Sequence, residues 1–242
     1  MSIILRTFKI SIFKNATAKK FILIGIGEIF LVMFGILLAL EVDNWKENRK
    51  SLSIERMALK GIYDDLHQNR NKIQYIIKND SMRIIGNQKL IALLKDPLSD
   101  YHQDYDTLLG KILQYDAFFC QRTSYESLDN SSTVIKNNPL RGQITHLFDY
   151  ILKELEQQGN RSKELLIILS EPVITRHLET GQNLSSRFPN DFQALKKDQE
   201  FLNHLTAATA QQRPFVEYFK MSLKEIDWVI AAIEKELSFE KM

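Results

Sequence analysis

One ionisable side chain, Glu28, stands inside a continuous apolar run, Phe21–Leu40 (FILIGIGEIFLVMFGILLAL). A carboxyl group among lipid tails is costly, and acids found there commonly serve helix association or proton movement. Glu28, Gly35 and Ala39 are separated by seven and four residues. At 100° per residue they fall within roughly 20° of one stripe on a helix. Gly35-x-x-x-Ala39 is a small-x-x-x-small pair, which lets two helix backbones approach closely. The spacing predicts a helix-association stripe of Glu28, Gly35 and Ala39 carrying one acid per chain. Its acid should face protein, water or a partner helix.

Elsewhere the reactive residue types lack the spacing that chemistry needs. His67, His102, His146, His177 and His204 lie far apart, with no H-E-x-x-H and no His pair at i,i+4. Cys120 is the only cysteine, so neither an intrachain disulfide nor a C-x-x-C site can form. The only G-x-G, Gly25-Ile26-Gly27, lies inside the apolar run and does not follow a strand. The acidic pairs Asp64–Asp65 and Asp104–Asp106 read as solvated helix faces, and Cys120 after Phe118–Phe119 reads as a small buried apolar residue. Arg122, Tyr125 and Arg141 form a polar cluster with the Ser131–Thr133 loop. The expectation is structural: Tyr125 packs its ring, while its hydroxyl and Arg141 hold the loop to the third helix. No catalytic, cofactor-binding or metal-binding residue is expected, and the chain does not read as an enzyme. The 32 Lys+Arg against 30 Asp+Glu give a net charge of +2, without the concentrated basic face of a nucleic-acid binder.

The element that must position Glu28 is the run itself. Twenty residues of helix span roughly 30 Å, the thickness of a bilayer's hydrocarbon core. Three regions follow: a basic arm (1–20), a transmembrane helix (21–42) and a helical extramembrane domain (43–242). The arm holds Arg6, Lys9, Lys14, Lys19 and Lys20 and no acid. Lys46, Arg49, Lys50 and Arg56 follow the span, mixed with acids that count little in the positive-inside rule. The bias puts the N-terminus in the cytoplasm and the large domain outside it. The apolar stretch is too long for a cleaved signal peptide, and Leu37-Leu38-Ala39 has a large residue three back from the cut. An uncleaved signal anchor is expected, with Trp45 as an interfacial anchor at the membrane exit.

Gly27-Glu28-Ile29, Leu31-Val32, Gly35-Ile36, Ala39-Leu40, Asn44-Trp45, Glu47 and Arg49 together read G-E-I-x-L-V-x-x-G-I-x-x-A-L-x-x-x-N-W-x-E-x-R. This resembles the signature of a family of single-span membrane proteins common in Bacteroidota, a domain of unknown function. Tyr125-Glu126-Ser127-Leu128 and Ile135–Tyr150 are similar to that family's second recurring stretch, in which an I-x-N-x-x-L-R element opens a helix. The resemblance implies an inner-membrane protein of about this size and a membrane-exit motif of Asn44, Trp45, Glu47 and Arg49. It implies no activity.

Beyond the span, apolar residues recur at three- and four-residue steps, few Gly (9) and Pro (5) interrupt them, and no stretch alternates. The prediction is all-α, a bundle of four to six helices with a long first helix and no sheet. Leu59, Ile62, Leu66, Ile73, Ile76, Ile77, Ile84, Ile91 and Leu94 mark that first helix up to Lys95-Asp96-Pro97. A second helix is expected over Tyr101–Gln121 and a third from Pro139, capped by Asn138, to Ser170. There Glu171–Pro172 kinks or ends it. An irregular helical piece follows over Val173–Thr180. Asn190 or Asp191 then caps a helix to Gln212, and Phe215–Leu237 forms the last.

Three functions fit. One is a structural or interaction protein that oligomerises through its span and meets another membrane or envelope protein. Another is a periplasmic ligand-sensing module acting through a partner, and the last is a proton-coupled accessory subunit using Glu28. A pilin-like precursor does not fit, because Glu28 stands directly after Gly27.

Overall fold

A computed structural model describes residues 16–112, 114–128, 134–181 and 186–239. Arm residues 1–15, Leu113 and the Asp129–Thr133 loop lie outside the described residues. The protein is all-α apart from one small ribbon. The helices are α1 (Ala16–Lys95), α2 (Tyr105–Lys111), α3 (Thr123–Glu126), α4 (Asn138–His146), α5 (Lys153–Leu165), α6 (Glu171–His177), α7 (Phe192–Lys197) and α8 (Gln199–Phe239). π-helical segments at Leu147–Leu152 and Leu166–Ser170 join α4 to α5 and α5 to α6. By contact the chain divides into two units, Met1–Ile54 and Glu55–Met242.

In the first unit no described side chain of α1 is buried. Phe21, Leu23, Phe30, Leu31 and other large apolar side chains through Leu40, such as Phe34 and Leu38, are more than half exposed. This helix is long and apolar enough to cross a membrane.

In the second unit α1 carries a stripe in alternating steps of three and four, buried except for the partly buried Asp80: Leu59, Ile62, Leu66, Asn69, Ile73, Ile76, then Asp80, Arg83, Asn87, Leu90 and Leu94. That period keeps one face of a helix turned to a partner. The first run packs with Leu140, Ile144, Leu147, Phe148 and the Phe219–Ile233 face of α8. The last two residues, Leu90 and Leu94, pack in a second cluster with Leu109, Ile112, Val173, Ile174, Leu195 and Phe201. Helix α8 runs antiparallel to α1, as Tyr63–Glu234 (3.0 Å) and Arg70–Asp227 (2.5 Å) show. Arg83 and Asn87 thus take core positions where the apolar count pointed to Ile84 and Ile91, both only half-buried.

Several expected elements differ. The second helix is only Tyr105–Lys111; residues 114–122 are extended, because side chains of α1 take up their backbone groups. The third helix continues past Pro172. The proline has no N–H for the carbonyl four residues back, and the wider π turn over Leu166–Ser170 receives it. Its cap is Asn137, whose Oδ1 accepts from the Leu140 N–H at 3.2 Å, so Pro139 stands one position further in than expected. Where helix was expected through Thr180, Leu178–Thr180 pairs antiparallel with Arg187–Pro189. Asp191 caps the short α7, accepting from Ala194 N–H. A second cap, Asp198 accepting from Phe201 N–H at 2.8 Å, starts α8. Pro214 then lies inside α8. The helix persists because Phe201, Leu202 and Leu205 before it and Val216 and Phe219 after it are all buried, which outweighs the roughly 3 kcal/mol an interior proline costs.

Gly61 marks the tightest approach to α1: a Cβ there would stand 2.8 Å from Ser124 Oγ and 3.0 Å from its Cβ, whereas a Cβ on Gly142 meets nothing within 4 Å. Gly142→Ala is expected to gain about 1 kcal/mol of helix propensity. Gly61→Ala is expected to gain less or to lose stability, as read by denaturant unfolding of the two variants side by side.

Candidate functional site

Two places concentrate polar groups against physical expectation. On the apolar run of α1, Glu28, Gly35 and Ala39 are exposed, and a Cβ on Gly35 would meet nothing within 4 Å. Among the described residues none bonds the Glu28 carboxylate. Asn44, Trp45, Glu47 and Arg49, the residues expected at the membrane exit, are exposed too, and the Arg49 guanidinium lies 4.8 Å from the centre of the Trp45 ring.

The second place is a strap, residues 114–122, running antiparallel along α1, with Ser124 at the start of α3 and Lys136 held to the same helix. An extended segment inside a bundle has no ladder for its N–H and C=O groups, and each one left buried and unpaired costs about 1–3 kcal/mol. Polar side chains on the α1 stripe and beside it supply the partners. Glu55 accepts from Lys136 N–H at 2.6 Å and Asp65 from Ser124 N–H at 2.8 Å. Asn69 takes both groups of Gln121: its Nδ2 donates to the carbonyl and its Oδ1 accepts from the N–H, each at 2.7 Å. Arg83 donates to the Gln114 carbonyl. From the other side Glu156 of α5 accepts from Cys120 N–H at 2.7 Å and pairs with Arg122. Phe118 enters the first apolar cluster, edge-on to Phe219 with ring centres 6.2 Å apart.

Arg83, 6% exposed, also reaches the carboxylates of Asp80 at 3.0 Å and Asp116 at 3.2 Å, and Asn79 donates to Asp116 at 3.0 Å. Two carboxylates thus share one guanidinium. Burial raises the Asp80 carboxyl above its ordinary value, Arg83 opposing that and Asp116 reinforcing it. Burial likewise pushes the Cys120 thiol up to about 12, against the pull of Arg122, so it is protonated at neutral pH and a poor nucleophile. A cavity of about 410 Å³ opens beside this centre between Tyr75, Met82, Lys111 and Tyr115. Among the described residues no three His, Cys, Asp or Glu side chains come together as a metal site.

The Ser131–Thr133 loop that Arg122, Tyr125 and Arg141 are expected to hold lies outside the described residues. Arg122 is committed to Glu156, while Tyr125 stacks on Phe148 (ring centres 4.6 Å apart) and donates its hydroxyl to Asp149 at 2.9 Å. Asp64 is solvated and paired with Lys60, but Asp65 is not a solvated face: it is buried and holds Ser124. Glu55, Asn69, Arg83, Asp116 and Glu156 escape a search for catalytic spacing. Their one legible signal is that Asn69 and Arg83 occupy three- and four-step core positions of α1. The chain matches no protein-family model, no curated protein and no solved structure.

Two outcomes follow. Asn69→Ala strands both backbone groups of Gln121 and is expected to cost about 2–5 kcal/mol in denaturant unfolding, with Asp64→Ala close to wild type. The Asp80 carboxyl is raised in the folded state, so its stabilising contribution is fullest below the unfolded value and is lost as pH rises through the folded one. The stability of wild type relative to Asp80→Asn should therefore improve as pH falls from 7 toward the ordinary aspartate value of about 3.9. Unfolding curves for both proteins across that range check the sign.

Proposed function

We propose that this is a single-span protein of the bacterial inner membrane with its N-terminus in the cytoplasm and its helical domain in the periplasm. In this reading it is a structural or interaction component that oligomerises through its span. The observation that carries the reading is the uncovered Phe21–Leu40 face of α1. Covering a Leu, Ile or Phe side chain contributes about 1.5–3 kcal/mol, so a run of them left bare in water is far from its minimum, and lipid is the cover its length fits. The bare Glu28 carboxylate supports association, since a second span beside it spares the acid from lipid. The Gly35-x-x-x-Ala39 pair allows that approach. The resemblance of its motif to the signature of the Bacteroidota membrane family is in keeping with that location.

Full-length protein is expected to stay in the membrane pellet after alkaline carbonate washing and to cross-link to itself in native membranes, with Gly35→Leu lowering the cross-linked fraction. Release by carbonate would refute the anchor. A strictly monomeric protein, unchanged by Gly35→Leu, would refute the association.

A further inference from the structure

The heptad rhythm of the span does not stop at the end of the hydrocarbon. Counting from Glu28 in alternating steps of three and four gives Leu31, Gly35, Leu38, Val42, Trp45, Arg49 and Leu52. Val42, Trp45 and Leu52 remain 49%, 57% and 42% exposed. Lipid covers the early part of this seam. It does not cover the last part: Leu52 stands twelve residues past Leu40, roughly 18 Å further along a helix, beyond Glu41, Asp43, Lys46 and Glu47. A three–four seam sustained over about four heptads is the pattern of a coiled coil, and its period of 3.5 sets a left-handed supercoil.

We propose that residues 24–52 form a parallel coiled coil with a second copy of this chain, running from within the membrane out to Leu52. The proposal rests on the association reading above and extends it to a defined register outside the bilayer. Two copies anchored by the same span are parallel. In a parallel pair Glu41 flanks the seam on one helix five residues before Lys46 on the other, the spacing at which opposite charges meet across the interface. Val42 is a β-branched residue at the seam position that favours two strands when Leu alternates with it, as Leu38 and Leu52 do at the other position. Beyond the apolar run Arg49 is the polar seam residue, and such residues fix register at a cost in stability. Its stacking on Trp45 keeps the guanidinium partnered within its own helix. The seam closes after Leu52 because the next leucine in the count, Leu59, is wholly buried in the core of residues 55–242.

Single-cysteine scanning of the full chain in native membranes tests this, in a Cys120→Ser background with copper–phenanthroline oxidation. Disulfide-linked dimer is expected severalfold more strongly from Leu31→Cys, Leu38→Cys, Val42→Cys and Leu52→Cys than from Asp43→Cys, Glu47→Cys and Lys50→Cys, which point away from the seam. Glu41→Lys should lower the yield at Val42→Cys, and Glu41→Lys with Lys46→Glu should restore it. Cross-linking at Leu31→Cys and Leu38→Cys with a flat, low yield over residues 42–52 would overturn the coiled coil and leave the association reading standing. Uniform yield at every position, or linkage to a different protein in place of the dimer, would also overturn the proposal. No dimer at any position would overturn both readings.

Discussion

The fold of residues 55–242 depends on polar side chains set into the buried face of one helix. α1 must hold an extended strap, and an extended strap inside a bundle brings a row of backbone donors and acceptors with no ladder to join. Asn69 answers this most directly, giving one donor and one acceptor to the same residue, Gln121, as a neighbouring strand would. Glu55 and Asp65 do the same for single N–H groups further along. With the strap fixed, Phe118 has its place in the core, and Cys120 N–H and Arg122 present themselves to Glu156 of α5. The helices beyond the strap are therefore ordered through it, and an apolar α1 face would lose the strap's position along with the hydrogen bonds.

The polar insertion also divides the core. Ile76 closes one apolar cluster and Leu90 opens the other; between them the stripe reads Asp80, Arg83, Asn87. Removing Arg83, Asp80 and Asp116 from water costs several kcal/mol per charge, and their mutual attraction roughly returns it, so this centre adds little to net stability. What it adds is position. The Arg83 guanidinium bonds the Gln114 carbonyl and the Asp116 carboxylate at once, so a strap shifted by one residue would leave a buried charge unpaired. Apolar contacts in its place would tolerate such a slip.

The helical elements were legible because their causes are local. Three–four periodicity marked α1 and α8, and Asn beside Pro marked the start of α4 to within one residue. The strap was not legible, because its cause is distant: Leu108, Leu109, Ile112 and Phe119 keep helical spacing, and the groups that hold the chain extended belong to residues 69 and 83. A polar residue at a core position is ambiguous until its partner is known. The same ambiguity made Asp65 look solvated beside Asp64. The two-stranded ribbon escaped for a similar reason, since three-residue strands are too short to alternate. The apolar run could be read directly, because it is a property of one helix.

That contrast locates the unfinished part of the molecule. Along the stripe that begins at Leu59, each charged residue has a partner from its own chain: Asp80 and Arg83 each other, and Arg83 the strap as well. The seam from Glu28 to Leu52 repeats the same three–four rhythm with the same mixture of apolar and charged residues. Its apolar members are bare, and its acid is bonded by none of the described residues. A heptad face conserves nothing for a helix that stays alone in lipid, where any apolar residue serves in any direction; it matters only when one direction faces protein. Beyond Leu40, where charged residues break the apolar run, lipid is no longer a cover that fits the seam. On the coiled-coil proposal, the chemistry that would distinguish this protein is the recognition of helix by helix, specified by where Glu28 and Arg49 interrupt an apolar seam.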